Sequence, residues 1–299
     1  MGLGFCGGSR LIIDKVVTLI KRDRTSARSD YAMRRSEKLV PLANALAGVV
    51  REAGALARAA SGRPVKTWVK EHNSPVSEVD IAVNHLLKER LAAIVPEAGW
   101  LSEESEDGPA RLAASRVWIV DPIDGTRSFI AGRPDWAISV ALVEGSRPIV
   151  AALYAPISEE FFVAVTGAGA TRNGTPIMAS PGSTLEGARI AGPRGFLDRL
   201  ATVAPAFTVL PRIHSLALRL ARVADGTLDA AVASRTSRDW DLAAADLLVH
   251  EAGGALTTVG GTKLAYNGIS TVHDVLVAAG LMRHQALATL LRQHHDLLR

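Results

Sequence analysis

At 299 residues, with 48% hydrophobic and 21% charged positions, the chain has the length and composition of a globular protein of one large or two ordinary domains. The formal charge of +4 is localised: residues 1–38 hold nine Lys/Arg and four Asp/Glu, while the remaining 25 basic and 26 acidic residues nearly cancel. That neutral body, only 5% aromatic, argues against nucleic acid as a partner, and a single cysteine, Cys6, excludes a disulfide framework or a thiolate metal site.

Taken in chain order, "LIIDKVVTLI" is too short to span a membrane and carries Asp14 and Lys15 in its middle. Residues 1–32 are expected to be a poorly ordered extension, and a reducing cytoplasm fits the cysteine count. From Pro41 to Ala60 apolar residues recur at helical spacing, and Gly62 and Pro64 end that helix. "SPVSEVD" opens a second helix with Ser77 as N-cap and Asp80 at the capping-box position; Ile81, Leu87, Leu91 and Ile94 form its buried side and Pro96 closes it. Strands follow: Val117–Val120, a hairpin turning at Gly145-Ser146, and a strand leading to an Asn173-Gly174 turn. Gly167 and Gly169 read as turn residues, since no helix pattern opens after them. Beyond the loop 180–184, strands and helices alternate, with Ser215 capping one helix, Asp241 capping another and a last helix near Met282–Leu298. Two αβ layers joined near residue 183 are expected, with subdomains 33–183 and 184–299.

The segment "VWIVDPIDGTRSF" reads as strand, acidic turn, helix N-terminus. Pro122 withdraws an N–H from the ladder, so pairing is expected to stop at Asp121. Gly125 permits a backbone that a side chain would block, and Thr126 can cap the helix that follows. The helix N-terminus suits a phosphate, but adjacent carboxylates repel one unless a hard cation stands between them. A capped acidic turn is the competing explanation. The aspartates are three apart, not two as in D-x-D-G-T phosphatases that form an aspartyl-phosphate, and a spacing of three breaks the alternation that would put both on one side of a strand. Glu103 and Glu104 in "WLSEES", Asp80 and Asp241 each have an adequate local explanation as loop acid or cap.

Four segments together, "SPVSEVD", "WLSEES", "DPIDGT" and "WDLAAADLLVHEAGG", resemble in this order the motifs of the inositol monophosphatase superfamily over about residues 39–295. The resemblance implies an α/β fold, a layered αβαβα sandwich of the sugar-phosphatase type. It implies that Glu103, Asp121 and the Ile123 carbonyl hold one Mg²⁺, that Asp121, Asp124 and Asp241 hold a second, and that Asp80 completes a third site. Asp80 and Thr126 would orient the attacking water, with Glu104 behind them, and Gly125 and Thr126 would give backbone N–H groups to the phosphate. Mn²⁺ is a substitute, lithium sensitivity and a homodimer are implied, and no membrane partner is. The reaction expected is hydrolysis of a small phosphorylated metabolite by activated water, without a phospho-enzyme. A catalytically silent metal-binding regulator of the same fold is the alternative from another class.

The substrate is less defined. Inositol monophosphatases commonly carry a Glu seven residues before the W-D aspartate, and here that position is Ser234. Lys70 matches the K-x-D-x-S-P-V-T segment of bacterial 3′(2′),5′-bisphosphate nucleotidases, whereas His72 replaces its aspartate. Arg235, Arg238 and His214, with Ser215, are candidate donors to a second anionic group. Adenosine 3′,5′-bisphosphate is therefore expected ahead of inositol 1-phosphate, histidinol phosphate and fructose 1,6-bisphosphate.

Overall fold

The computed structural model describes residues 35–70, 75–294 and 297. The expectations for residues 1–32, for Cys6, for His72 and for the C-terminal His295-Asp296 lie outside the described residues.

Helix α1 spans Arg35–Ala60, six residues more than the periodicity from Pro41 predicts. The extra turns continue the same stripe, since Ser36 and Leu39 are buried with Ala43, Leu46, Val50, Ala53 and Ala57. By length and composition α1 could cross a membrane. Its apolar side instead packs on a sheet, while Glu37, Arg51, Glu52 and Arg58 lie on the exposed side. Strands β1 (Thr67–Val69) and β2 (Pro75–Ser77) form a short antiparallel pair leading into α2 (Glu78–Ile94). Ser77 caps α2 and Asp80 completes the box. The buried stripe of α2 runs through Val79, Val83, Leu87 and Leu91; Ile81 and Ile94 stand at its margin.

Seven strands make the first sheet: β3 (Gly99–Ser102), β4 (Arg116–Asp124), β5 (Ala137–Glu144), β6 (Arg147–Ala155), β7 (Glu160–Val165), β8 (Gly169–Arg172) and β9 (Thr175–Pro176), in spatial order. Only β3 and β4 pair in parallel. The hairpin turns fall at Gly145 and at Asn173-Gly174, all with positive φ, as the turn residues predict. A short helix, α3 (Thr126–Ile130), follows β4. The Gly167–Gly169 turn donates both glycine N–H groups to the Glu251 carboxylate at 2.9 Å, so an internal anion already fills it.

The second half adds β10 (Arg189–Ala191), α4 (Arg194–Leu200), β11 (Thr208–Val209), α5 (Leu216–Ala224), β12 (Ala230–Ala233), α6 (Asp239–Glu251), β13 (Gly254–Thr258), β14 (Leu276–Gly280) and α7 (Leu281–Gln293). Its five strands are ordered β11-β10-β12-β14-β13. Helix α6 is buried on nearly all sides and α5 on all but the edge that carries Arg219 and Arg222, because both are sandwiched between the two sheets. The layers are thus α1/α2, seven strands, α5/α6, five strands, and α4/α7, the αβαβα arrangement. The middle layer packs residues from both halves of the chain into one core.

One polar cluster pins that layer. Asp246 of α6 is fully buried and meets Arg147 Nη1 at 2.9 Å and His250 Nδ1 at 2.8 Å. Asp246→Ala should cost about 3 kcal/mol, the lower end for a broken buried pair because Arg147 is partly solvated. A urea-unfolding midpoint that does not move would show that the pair contributes nothing.

Candidate active site

Strand β4 delivers Asp121 and Asp124 to the sheet end. Pairing does not stop at Pro122, as its missing N–H predicts; it shifts register. Asp121 pairs with Ser139 and Asp124 with Ala137, so three steps on β4 match two on β5. This bulge absorbs the extra residue and returns both carboxylates to one side. The alternation argument from a spacing of three therefore fails here.

Asp241 joins them from α6. That helix starts at Asp239, with Arg238 as its N-cap, so Asp241 stands in the first turn rather than at the cap. The earlier start follows from Asp239, fully buried and bound by His273 Nε2 at 2.7 Å and the Asn267 N–H at 2.8 Å. One oxygen each of Asp121, Asp124 and Asp241 lie within 4.8 Å of one another.

Each aspartate has one oxygen fixed by the protein. Asp121 Oδ1 accepts the Ile123 N–H at 3.0 Å. Asp124 Oδ2 accepts the Ser215 hydroxyl and the Ala217 N–H, both at 2.6 Å, at the N-terminus of α5. Asp241 Oδ2 accepts the Arg238 N–H at 2.7 Å. By contrast, Asp121 Oδ2 is buried with no hydrogen-bond partner. Such an atom normally finds one.

Electrostatics sharpen the point. Burial, with Glu103, Asp124 and Asp241 adding repulsion, pushes the Asp121 carboxyl well above the usual carboxylate range. Burial and the Asp124 charge do the same to Asp241. Asp124 is raised to about 6 by burial, against the hydrogen bonds from Ser215 and Ala217. A pair of carboxylates at this separation repels by roughly 3 kcal/mol at an effective dielectric near 20. The orphaned oxygen and the oxygen-only donor set fit a hard divalent cation.

The other expected residues surround this cluster. Glu103, just beyond β3, faces Lys70, whose Nζ lies 3.5 Å from its carboxylate and 2.6 Å from Glu104 Oε1. Burial raises Glu104 to about 7 despite Lys70. Burial disfavours charge on Lys70, but Glu103 and Glu104 together outweigh it and raise its pKa. Asp80 keeps its capping bonds to Ser77 and accepts the Thr126 hydroxyl at 3.1 Å. Thr126 is not a cap. Gly125 takes that position in the left-handed region, which frees the Thr126 hydroxyl to face Asp80 and the Ile123 carbonyl at 3.0 Å. A Cβ on Gly125 would sit 3.1 Å from both Asp135 O and Ser215 N. Gly125→Ala should therefore lower kcat/KM by more than about tenfold by moving the α3 and α5 N-termini apart. Unchanged kinetics with unchanged melting would refute that account.

The structure does not gather the expected anion donors. Arg235 is exposed and paired with Asp274 at 3.2 Å, while the Arg238 guanidinium bonds Thr271 Oγ1 at 3.2 Å and lies over Trp240. Ser215 is buried against Asp124. His214 remains beside the site, its Nδ1 2.6 Å from Asp135 Oδ2.

The inositol monophosphatase family model matches residues 38–296. The chain belongs to the inositol monophosphatase family. It is a phosphatase of that family, and the aspartate cluster is its candidate metal site. The 3′(2′),5′-bisphosphate nucleotidase CysQ of Aggregatibacter actinomycetemcomitans is 28% identical over 236 residues, covering 73% of this chain and 85% of that protein. Inositol monophosphatase 2 of Solanum lycopersicum is 34% identical, over 63% of this chain and 76% of its own length. An IMPase of Thermotoga maritima superposes with a TM-score of 0.73 at 27% identity, covering 85% of this chain and 97% of its own. Sequence reasoning about this family member missed Asp135, which holds His214 and accepts the Ser128 hydroxyl. No motif marks it; only the fold brings it to residue 214.

Proposed function

We propose that the chain is a Mg²⁺-dependent phosphomonoesterase whose substrate is a 3′(2′),5′-bisphosphate nucleotide, converting adenosine 3′,5′-bisphosphate to AMP. The observation that carries the metal-dependent part is the orphaned, buried Oδ2 of Asp121, on a carboxylate that clusters with those of Asp124 and Asp241. Those three, with Glu103, Asp80 and the Ile123 carbonyl, would hold two to three Mg²⁺ ions. Bound there, Mg²⁺ (or Mn²⁺) supplies Lewis acidity that activates water and offsets phosphate charge.

The residues divide the remaining work. Thr126, polarised by Asp80, orients the attacking water. Gly125 and Thr126 offer backbone N–H groups to the phosphate. Ser215 and the α5 N-terminus keep Asp124 ionised and aimed, and Lys70, held by Glu104, balances charge at the rim. Support for a nucleotide over inositol comes from the CysQ relative and from Ser234, which leaves a hydroxyl where inositol phosphatases commonly place a carboxylate. The higher identity to the tomato inositol monophosphatase favours the second reading, inositol 1-phosphate.

A phosphate-release panel with Mg²⁺, with and without Li⁺, decides between them. It compares adenosine 3′,5′-bisphosphate, inositol 1-phosphate, histidinol phosphate and fructose 1,6-bisphosphate. The expected result is at least tenfold preference for the bisphosphorylated nucleotide, about 1.4 kcal/mol of discrimination. The same preference for inositol 1-phosphate would reverse the substrate reading, and no release from any ester would leave the silent regulator.

A further inference from the structure

A groove lies beside α5, between the loop that precedes that helix and the one that follows it. It holds about 380 Å³ and its polar lining includes Arg133, Asp135, His214, Arg222 and Thr227. A second hollow adjoins it over the shared Leu210, Pro211 and Arg212. Its place relative to the site is fixed by the chain: His214 immediately precedes Ser215, which holds Asp124, and Asp135 accepts the Ser215 N–H at 3.2 Å.

The charges of this groove are unevenly satisfied. Arg222 is held by Glu160 at 2.6 Å and Arg194, in the adjoining hollow, by Asp198 at 2.9 Å. Among the described residues, Arg133 and Arg212 have no carboxylate partner, and Arg133 reaches only His214 Nε2, at 3.5 Å. Asp135 occupies the Nδ1 edge of that imidazole and so points the other edge at Arg133. Pro134, Leu210, Pro211, Ile213 and Leu228 supply apolar walls. Two unpaired guanidiniums over an apolar floor recognise an anion attached to a flat or weakly polar body.

We infer that Arg133 and Arg212, with His214, form the subsite for the second anionic group of the substrate, the phosphate that is not hydrolysed. Resting on the nucleotide reading above, this moves second-anion recognition away from Arg235 and Arg238, whose guanidiniums already have partners. The apolar walls take the body that joins the two phosphates.

Adenosine 3′,5′-bisphosphate and adenosine 3′-monophosphate differ only in the second phosphate, so the ratio of their kcat/KM values reads this subsite. The wild type should favour the bisphosphate at least tenfold, mainly through KM. In the R133A/R212A double variant the ratio should fall to about one, with turnover of the monophosphate unchanged. Both side chains are exposed, so folding is not at risk, and R212K should restore part of the preference. The wild-type ratio should also shrink as salt rises. A preference for the bisphosphate that survives in R133A/R212A would overturn the subsite while leaving the substrate reading intact. Release from inositol 1-phosphate alone would overturn the substrate reading and the subsite with it.

Discussion

Asp121→Asn is expected to lose on the order of 10³-fold in kcat/KM for phosphate release, while the metal-free protein melts higher than wild type at pH 8. Both results come from one atom. Asp121 Oδ2 is buried and has no hydrogen-bond partner, on a carboxylate grouped with two others. On the proposed function it holds charge against a cation, and a lost Lewis-acid contact worth about 4 kcal/mol gives that factor in rate. Without the cation the same charge is a burden, which Asn removes while preserving shape and the Oδ1 bond to Ile123 N–H. Relief of ~1–2 kcal/mol corresponds to a rise of roughly 1.5–3 °C for a chain of this size. Steady-state kinetics with Mg²⁺ and melts in EDTA check the two halves separately. If the variant retained full activity, Asp121 would not be a ligand; if it melted lower, the buried charge would not be the source of strain.

The sequence carried the elements better than their ends. Periodicity found both N-terminal helices, yet could not extend α1 back to Arg35, because Pro41 reads as a boundary and only the sheet beneath makes Leu39 worth burying. The cap positions of α3 and α6 shifted for a similar reason. Asp and Thr are good caps in isolation, but Gly125 can enter the left-handed region and Asp239 finds partners in a distant loop, His273 and Asn267. The candidate metal cluster was readable only as a set of motifs, since each acid alone had an adequate local role. The bulge that unites Asp121 and Asp124 has no signal beyond Pro122. The anion groove was least readable: the arginines near "RTSRDW" are adjacent in sequence to Asp241, whereas Arg133 reaches the groove of Arg212 and His214 only through the fold.

Metal-free protein should lose stability as pH rises from about 4 to 8, and Mg²⁺ should abolish most of that loss. The sign follows from the proton count. Asp80, Asp121, Asp124, Asp241 and Glu104 have folded pKa values above their unfolded ones because of burial, Asp124 at about 6 and Glu104 at about 7. Between the two values the folded state binds more protons than the unfolded state, so stability falls as pH climbs through that window. Asp229 and Glu160 act oppositely: burial works against their charge, but Arg189 and Arg222 hold their pKa values down, so their contribution is lost only as acid protonates them. Buried His284, with its pKa lowered, makes stability rise with pH near its own titration. None of these three belongs to the aspartate cluster, so the difference in melting temperature between Mg²⁺ and EDTA isolates the acids in and around it. That difference should be small at pH 5 and widen through pH 6, 7 and 8, because ligand carboxylates must be ionised to bind the cation. Asp124→Asn should flatten the widening. A constant gap across the series would mean that the cation stabilises the protein somewhere other than this cluster.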